Sequence, residues 1–340
     1  MTELERWPAL VLTAGLATRL RPLSLVRAKA AMPVAGEILV RRILRWLHAS
    51  GIRRVVLNLH HLPETITGCV GDGRDLGLEV RYSWENVLLG SAGGPRRAIP
   101  IVDAEQFFIV NGDTLTDVDL VALSSAHQTS GALVTMAVVE GDIERYGGVC
   151  VGPAGDVRRF ARRTATSSEA SRVSEQSAVV SHLSAGQRRA EGERPRVQER
   201  VLHFIGVQAV QARVFANLAD DRASETVASV YPQLMARQAG SVRAHESRAR
   251  FLDIGTTRDY LTTVIGVARD EGRALDVGTG VRVDPTAQVR DSILWDNVSV
   301  AAGARIVECV VADGVAVPEG ARYERQVLVQ VNNEVQATSF

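Results

Sequence analysis

Ala9-Leu10-Val11-Leu12-Thr13-Ala14-Gly15-Leu16-Ala17-Thr18-Arg19-Leu20-Arg21-Pro22-Leu23 is the stretch on which the reading of this chain turns. An apolar run, Ala9–Leu12, ends abruptly in small residues, and two arginines and a proline follow. A buried strand that empties into a small-residue, positively charged loop fits a phosphate ligand. Small residues let backbone N–H groups approach an anion, and arginine supplies charge.

Working outward, apolar runs alternate with amphipathic segments. Leu39–Ala49 has helical apolar spacing and stops at Gly51. Val55–Leu59, Val80–Tyr82, Phe107–Val110 and Ala132–Val139 read as strands. Strand and helix in alternation predict an α/β domain, a Rossmann-like, mostly parallel sheet with helices on both faces. Ligands of such sheets bind beyond the carboxyl ends of strands. The opening loop and Asn111-Gly112-Asp113 both stand there. Residues 161–200, rich in Ser, Arg, Glu and Ala, read as a long mobile insertion.

Past Gly272 short apolar pieces are separated by Asp-Asn, Ala-Gly and Asp-Gly turns. Val283, Val289 and Trp295 recur every six residues, as do Val298, Ala304 and Val310 in a shifted register. A six-residue period predicts a β-helix, about 18 residues per three-sided coil, hence fewer than three coils. The chain divides at this level into 1–272 and a short coil module over 278–330.

The whole chain has 340 residues and no net formal charge. That argues against a duplex-binding surface, which needs a basic field, so no nucleic-acid partner is expected. No segment approaches the roughly 20 apolar residues of a bilayer span, so no membrane partner is expected. Cys69, Cys150 and Cys309 form neither a C-x-x-C pair nor a zinc spacing. Reduced cysteines and the lack of a leader-like start suggest a cytoplasmic protein.

The chemistry-bearing residues are few. Arg19 and Lys29 could reach one polyphosphate if the loop wraps it. Asp113 follows a strand end, and Asp253 sits between apolar neighbours in Phe251–Thr256. A carboxylate there is costly unless paired or on a metal, and Mg²⁺ is commonly held by one or two carboxylates plus phosphate and water. His60-His61 does not make a metal pair, because neighbours on a strand point to opposite faces. Trp84 and Glu85 precede a Gly-rich loop closely enough to reach the pocket.

Thr18-Arg19-Leu20, Arg21-Pro22-Leu23-Ser24, Ala28-Lys29-Ala30, Leu89-Gly90-Ser91-Ala92-Gly93, Asn111-Gly112-Asp113, Tyr146-Gly147 and Asp253-Ile254-Gly255-Thr256 follow one another in the order of known motifs. Together they resemble the sugar-phosphate nucleotidylyltransferases, many of which carry a C-terminal left-handed β-helix. The resemblance implies an enzyme that condenses a nucleoside triphosphate with a sugar 1-phosphate, releasing pyrophosphate. It implies Arg19, Lys29 and Asp113 as catalytic residues. It also implies nucleotide contacts from Ala14, Gly15, Leu16, Ala17, Thr18 and Arg19 and from Gly90, Ser91, Ala92 and Gly93. Gly147, Arg162, Arg163 and His203 would hold the sugar phosphate, and Asp113 and Asp253 would hold Mg²⁺. Positioning and charge neutralisation would then suffice for catalysis, since a phosphate monoester is already an anionic nucleophile. The loops lean toward GTP with mannose 1-phosphate or a heptose or hexosamine 1-phosphate. The coil face is an expected homo-oligomer interface.

The chain departs from that pattern at three places. Ala17 replaces a loop glycine, which is tolerated if its φ is negative. Alanines replace the prolines on both sides of Lys29. Phe160-Ala161-Arg162-Arg163-Thr164 stands where the family has Phe-x-Glu-Lys-Pro, so Arg162 or Arg163 would replace the lysine. These departures keep a catalytically inactive nucleotide-sugar-binding relative as the alternative. An acyltransferase is disfavoured because no histidine follows His245. A dinucleotide-binding dehydrogenase is disfavoured because no G-x-G-x-x-G follows the first strand.

Overall fold

The first strand, β1 (Ala9–Leu12), explains the architecture of the computed structural model, which describes residues 3–161, 199–273, 276–332 and 334–340. Its side chains alternate between two cores: Ala9 and Val11 enter one, Leu10 the other. A strand apolar on both faces belongs in the middle of a sheet covered on both sides. After a short hairpin, β2 (Pro33–Val34) and β3 (Glu37–Ile38), come β4 (Arg54–Leu59), β5 (Glu79–Trp84) and β6 (Gln106–Asn111). The order β6-β1-β4-β5 is parallel throughout.

Helix α1 (Leu39–Ala49) has the predicted bounds, and Leu39, Val40, Ile43, Leu44 and Leu47 are its buried stripe. With α2 (Pro63–Val70) it packs into the first core. Helix α3 (Gly90–Val102) packs into the second through Ala92, Ala98 and Val102. The other half of the sheet is mixed. Beyond β7 (Thr114–Thr116) and α4 (Leu120–Ser130) lie β8 (Val134–Val139), α5 (Ile143–Tyr146), β9 (Gly148–Val151), β10 (Val157–Ala161) and β11 (Arg200–Gln211). Strand β11 runs antiparallel to β6, β8 and β9, so it joins the parallel half to the rest. Ala161 and Arg200 belong to strands, and the intervening 162–198, including Arg162 and Arg163, lie outside the described residues.

Three further elements complete the larger unit: α6 (Tyr231–Arg237), β12 (Val242–Glu246), which pairs with β8, and β13 (Phe251–Asp253). Helix α7 (Thr257–Asp270) then opens with a capping box between Thr256 and Asp259.

The C-terminal strands stack in three parallel ladders, the arrangement of a left-handed β-helix. The coil is 17 residues, not 18: Asp276 pairs with Ile293, Ile293 with Val310 and Val310 with Val327. The chain therefore completes slightly more than three coils, rather than fewer than three. Interior side chains fall at Leu294, Val300, Ile306, Val311, Val317, Tyr323 and Leu328, a spacing of six, six and five. The short third side explains the shifted hexads. A strict count of six drifts one residue outward at Trp295 and Val310, which face the larger unit instead of the coil interior. Ile293, Trp295, Val310 and Val327 share the core that contains Tyr260, Leu261 and Val264 of α7. The coils are therefore packed on the α/β unit. Among the described residues no helix is long and apolar enough to cross a membrane.

Candidate active site

The loop after β1 lines a cavity of about 540 Å³. Ala14, Gly15, Leu16, Ala17, Thr18 and Arg19 all contribute to its wall, with Lys29, Asn58, Glu85, Gly90, Ser91 and Asp113. Arg19 is exposed and has no ion-pair partner among the described residues. An unpaired guanidinium on a cavity wall is ready for an anion.

Ala17 stands at φ 47° and ψ 45°, in the left-handed region, so its φ is positive where tolerance required a negative one. Its methyl packs at the edge of the core. A residue with a Cβ is strained in this region, whereas glycine is not. Ala17→Gly is expected to raise stability by about 0.5–1 kcal/mol, measured as a shift of the denaturant midpoint at constant m-value. A decrease would mean that methyl packing outweighs the strain.

Two carboxylates converge through backbone pairing. Strand β13 runs antiparallel to β7 with Asp253 opposite Thr114, which brings Asp253 beside Asp113. Gly112 makes the bend possible: a Cβ there would lie 2.5 Å from the Leu12 carbonyl oxygen. Lys29 Nζ sits 2.7 Å from Asp113 Oδ2. Burial pushes the Asp253 carboxyl above the usual range; Lys29 and Arg19 pull it back, while Asp113 and Asp259 push it further. A carboxylate pushed up by burial and by a neighbouring carboxylate suits a cation between the two. Hard oxygen donors of this kind fit Mg²⁺, with phosphate and water completing its shell.

A second cavity of about 690 Å³ lies alongside, lined by Tyr146, His203, Glu246 and Phe251. Phe251 and Asp253 alternate on β13, so they share a face. The rings of Tyr146, His203 and Phe251 lie 4.6–5.2 Å apart. His203 is 6% exposed, and neither ring nitrogen makes a hydrogen bond within the usual geometry. Burial lowers its pKa, while the Gly147 backbone pulls weakly the other way. Gly147 itself ends α5 at φ 81°.

Two expected nucleotide contacts are placed elsewhere. Ala92 and Gly93 do not line the cavity, because both N–H groups donate to the Ser224 carbonyl, at 2.9 and 3.3 Å. Of that loop, Gly90 and Ser91 remain on the wall, and the Ser91 hydroxyl donates to Glu225 Oε2 at 2.5 Å. Trp84 is half exposed and off the wall, whereas Glu85 is on it, 5% exposed. Glu85 Oε1 accepts from Asn58 Nδ2 at 2.7 Å and Oε2 from the Leu89 N–H at 2.9 Å. Asn58 Oδ1 in turn accepts the Thr13 N–H at 2.7 Å, so the ends of β1, β4 and β5 are tied together. Gly94 lets α3 lie against this network; a Cβ would stand 2.8 Å from Glu85 Oε1. Sequence reasoning missed Asn58, Glu225 and Arg145, which pairs with Asp259 and lies 4.9 Å from the Tyr146 ring. Only the tertiary fold reveals them. His60 and His61 bond to the Glu85 and Ser24 carbonyls, as separate structural contacts.

The chain is similar to known proteins over most of its length. A mannose-1-phosphate guanylyltransferase of Mycobacterium tuberculosis is 26% identical over 329 residues, covering 93% of this chain and 83% of that one. An N-acetylmuramate alpha-1-phosphate uridylyltransferase of Neisseria meningitidis is 37% identical over 126 residues, 37% of this chain and 53% of that one. The crystal structure of HddC from Yersinia pseudotuberculosis shares the fold, with a TM-score of 0.59 at 18% identity, over 77% of this chain and 99% of that one. The GlmU-like C-terminal hexapeptide family matches residues 273–326. The nucleotidyl transferase family matches residues 8–268, and the chain belongs to it.

Proposed function

We propose that this nucleotidyltransferase moves the nucleotidyl group of GTP to mannose 1-phosphate or a closely similar sugar 1-phosphate, releasing pyrophosphate. The observation that carries the reading is the convergence of Lys29, Asp113 and Asp253 at the phosphate loop. A sugar phosphate oxygen forms the new bond to the α-phosphorus, and the bond from that phosphorus to the β-phosphate bridging oxygen breaks. No proton need move, because both nucleophile and leaving group are anionic. Arg19 would bind the triphosphate, Lys29 would neutralise the α-phosphate, and Asp113 and Asp253 would hold the cation. The bound divalent cation would supply further charge neutralisation.

Glu85 supports a guanine preference. Its buried carboxylate keeps lone pairs beyond the two it has committed, and guanine alone among the common bases offers adjacent N1–H and N2–H donors. The similarity to a mannose-1-phosphate guanylyltransferase points the same way. The ring cluster of Tyr146, His203 and Phe251 would form the sugar wall, with Gly147 following Tyr146 in the chain.

The test is pyrophosphate release with Mg²⁺ over a grid of nucleoside triphosphates and sugar 1-phosphates. GTP with mannose 1-phosphate is expected to exceed the UTP pairs at least about tenfold. Silence over the grid, with nucleotide-sugar binding still measurable, would replace this reading with the inactive relative.

A further inference from the structure

We propose that the β-helix takes part in the reaction through Arg27, a positioning residue gripped by Asp296 and Asp313 on successive coils that fixes the reach of Lys29. The inference rests on the role given to Lys29 above.

The segment that carries Lys29 lacks its expected stiffening. Ala28 has φ −55° and ψ 145°, the geometry that a proline would lock, but an alanine leaves φ free to vary. The local restraints are core packing of Ala28, Ala30 and Ala31 and three hydrogen bonds: the Ala28 N–H donates to Thr65 Oγ1 at 3.1 Å, its carbonyl accepts the Ala31 N–H at 2.8 Å, and the Lys29 carbonyl accepts the Met32 N–H at 3.1 Å. The adjacent residue has the restraint that the backbone lacks. Arg27 Nε lies 2.6 Å from Asp313 Oδ2, and Nη2 lies 2.6 Å from Asp313 Oδ1 and 2.5 Å from Asp296 Oδ2. This is a forked, charge-assisted grip, the geometry that only arginine provides.

The grip is itself held in place. Asp296 and Asp313 are 17 residues apart, one coil of the helix, so their carboxylates stack at the same corner. Asp313 Oδ1 also accepts the Asp296 N–H at 3.0 Å, and Asp296 Oδ1 accepts the Thr279 N–H at 2.7 Å. Two stacked carboxylates repel unless a cation lies between them, which gives the ladder an electrostatic demand for Arg27.

A second path reaches the far side of the same loop. Arg27 lies 5.4 Å from the centre of the fully buried Trp295 ring, whose Nε1–H donates to the Tyr260 hydroxyl at 3.0 Å. Tyr260 donates to the Pro33 carbonyl at 2.6 Å. The coils therefore hold the chain directly at residue 27 before Lys29 and, through Tyr260 of α7, brace it at residue 33 after Lys29. Simple docking needs no such bracket, because apolar packing and the Arg269–Asp291 pair already join the coils to α7. Misplacement of a catalytic group by about 1 Å can cost two orders of magnitude in rate, so the bracket has a kinetic consequence.

The test compares Arg27→Gln and Asp313→Asn with Arg269→Gln, in the full-length protein well below its unfolding temperature. Pyrophosphate release is read as separate kcat and KM, and amide exchange is followed at Ala31 and Met32. The variants at Arg27 and Asp313 are both expected to lose about tenfold in kcat with KM for the triphosphate changed less than about threefold, and to exchange faster at those two amides. Arg269→Gln is expected to match the parent in both. Unchanged kcat in Arg27→Gln, or faster exchange confined to the coils, overturns the proposal. If the parent protein releases no pyrophosphate with any pair, the proposed function fails, while exchange at Ala31 and Met32 still decides this inference.

Discussion

Asp113→Asn is expected to lower kcat by about 10³-fold while leaving the protein folded and the triphosphate bound as tightly as before, or more tightly. Loss of a preorganised charge at a phosphoryl-transfer centre is typically worth about 3–4 kcal/mol. The direction of the KM change follows from the structure. Lys29 Nζ now stands 2.7 Å from Asp113 Oδ2. With the carboxylate neutralised, that ammonium is left facing the phosphates without a competitor. The ground state therefore gains attraction while the transition state loses the group proposed to hold the cation. Asparagine keeps the shape, so the β7–β13 pairing that positions Asp253 should survive. Steady-state kinetics at saturating Mg²⁺, with circular dichroism as a check on folding, measures both. A kcat within about tenfold of the parent would remove Asp113 from the centre.

Trp295→Ala is expected to destabilise the protein by about 3–5 kcal/mol, the usual cost of emptying a fully packed aromatic site. Trp295 has no exposed surface and belongs to the same core as Tyr260 and Leu261. Its loss removes apolar packing, the hydrogen bond to Tyr260 and the ring beneath Arg27 together. Urea unfolding measures the shift. The interface lies between two units with separate interiors, so the variant is also expected to unfold in two steps, the coils first. A shift below about 1 kcal/mol would show that the coils are held on by charge alone.

Much of the main unit was legible because its strands carry their own signals. Runs buried on both faces, such as Val55–Leu59, announce a covered sheet, and the stop at Gly51 fixes the end of α1. The loop after β1 was legible for the same reason: small residues and an arginine directly after a buried strand mark a cavity wall, and Gly15 and Arg19 do line one. What could not be read locally was pairing. Strands β7 and β13 are three residues each and 134 residues apart, yet they bring Asp113 and Asp253 together. The long β11 gives no sign in its sequence that it runs antiparallel to three partners. Ala92 and Gly93 lie off the cavity wall, with their N–H groups donating to a distant carbonyl, that of Ser224, which the local sequence does not reveal. The coil count failed for a geometric reason, since one side of the triangle is a residue shorter than the other two.

The 17-residue coil also constrains how this protein can change by insertion and deletion. A gain or loss of any other length between Asp296 and Asp313 would rotate one carboxylate away from the other's corner and leave Arg27 with half its grip. Length variation is therefore quantised here. It can keep the register of the ladder only in steps of a whole coil.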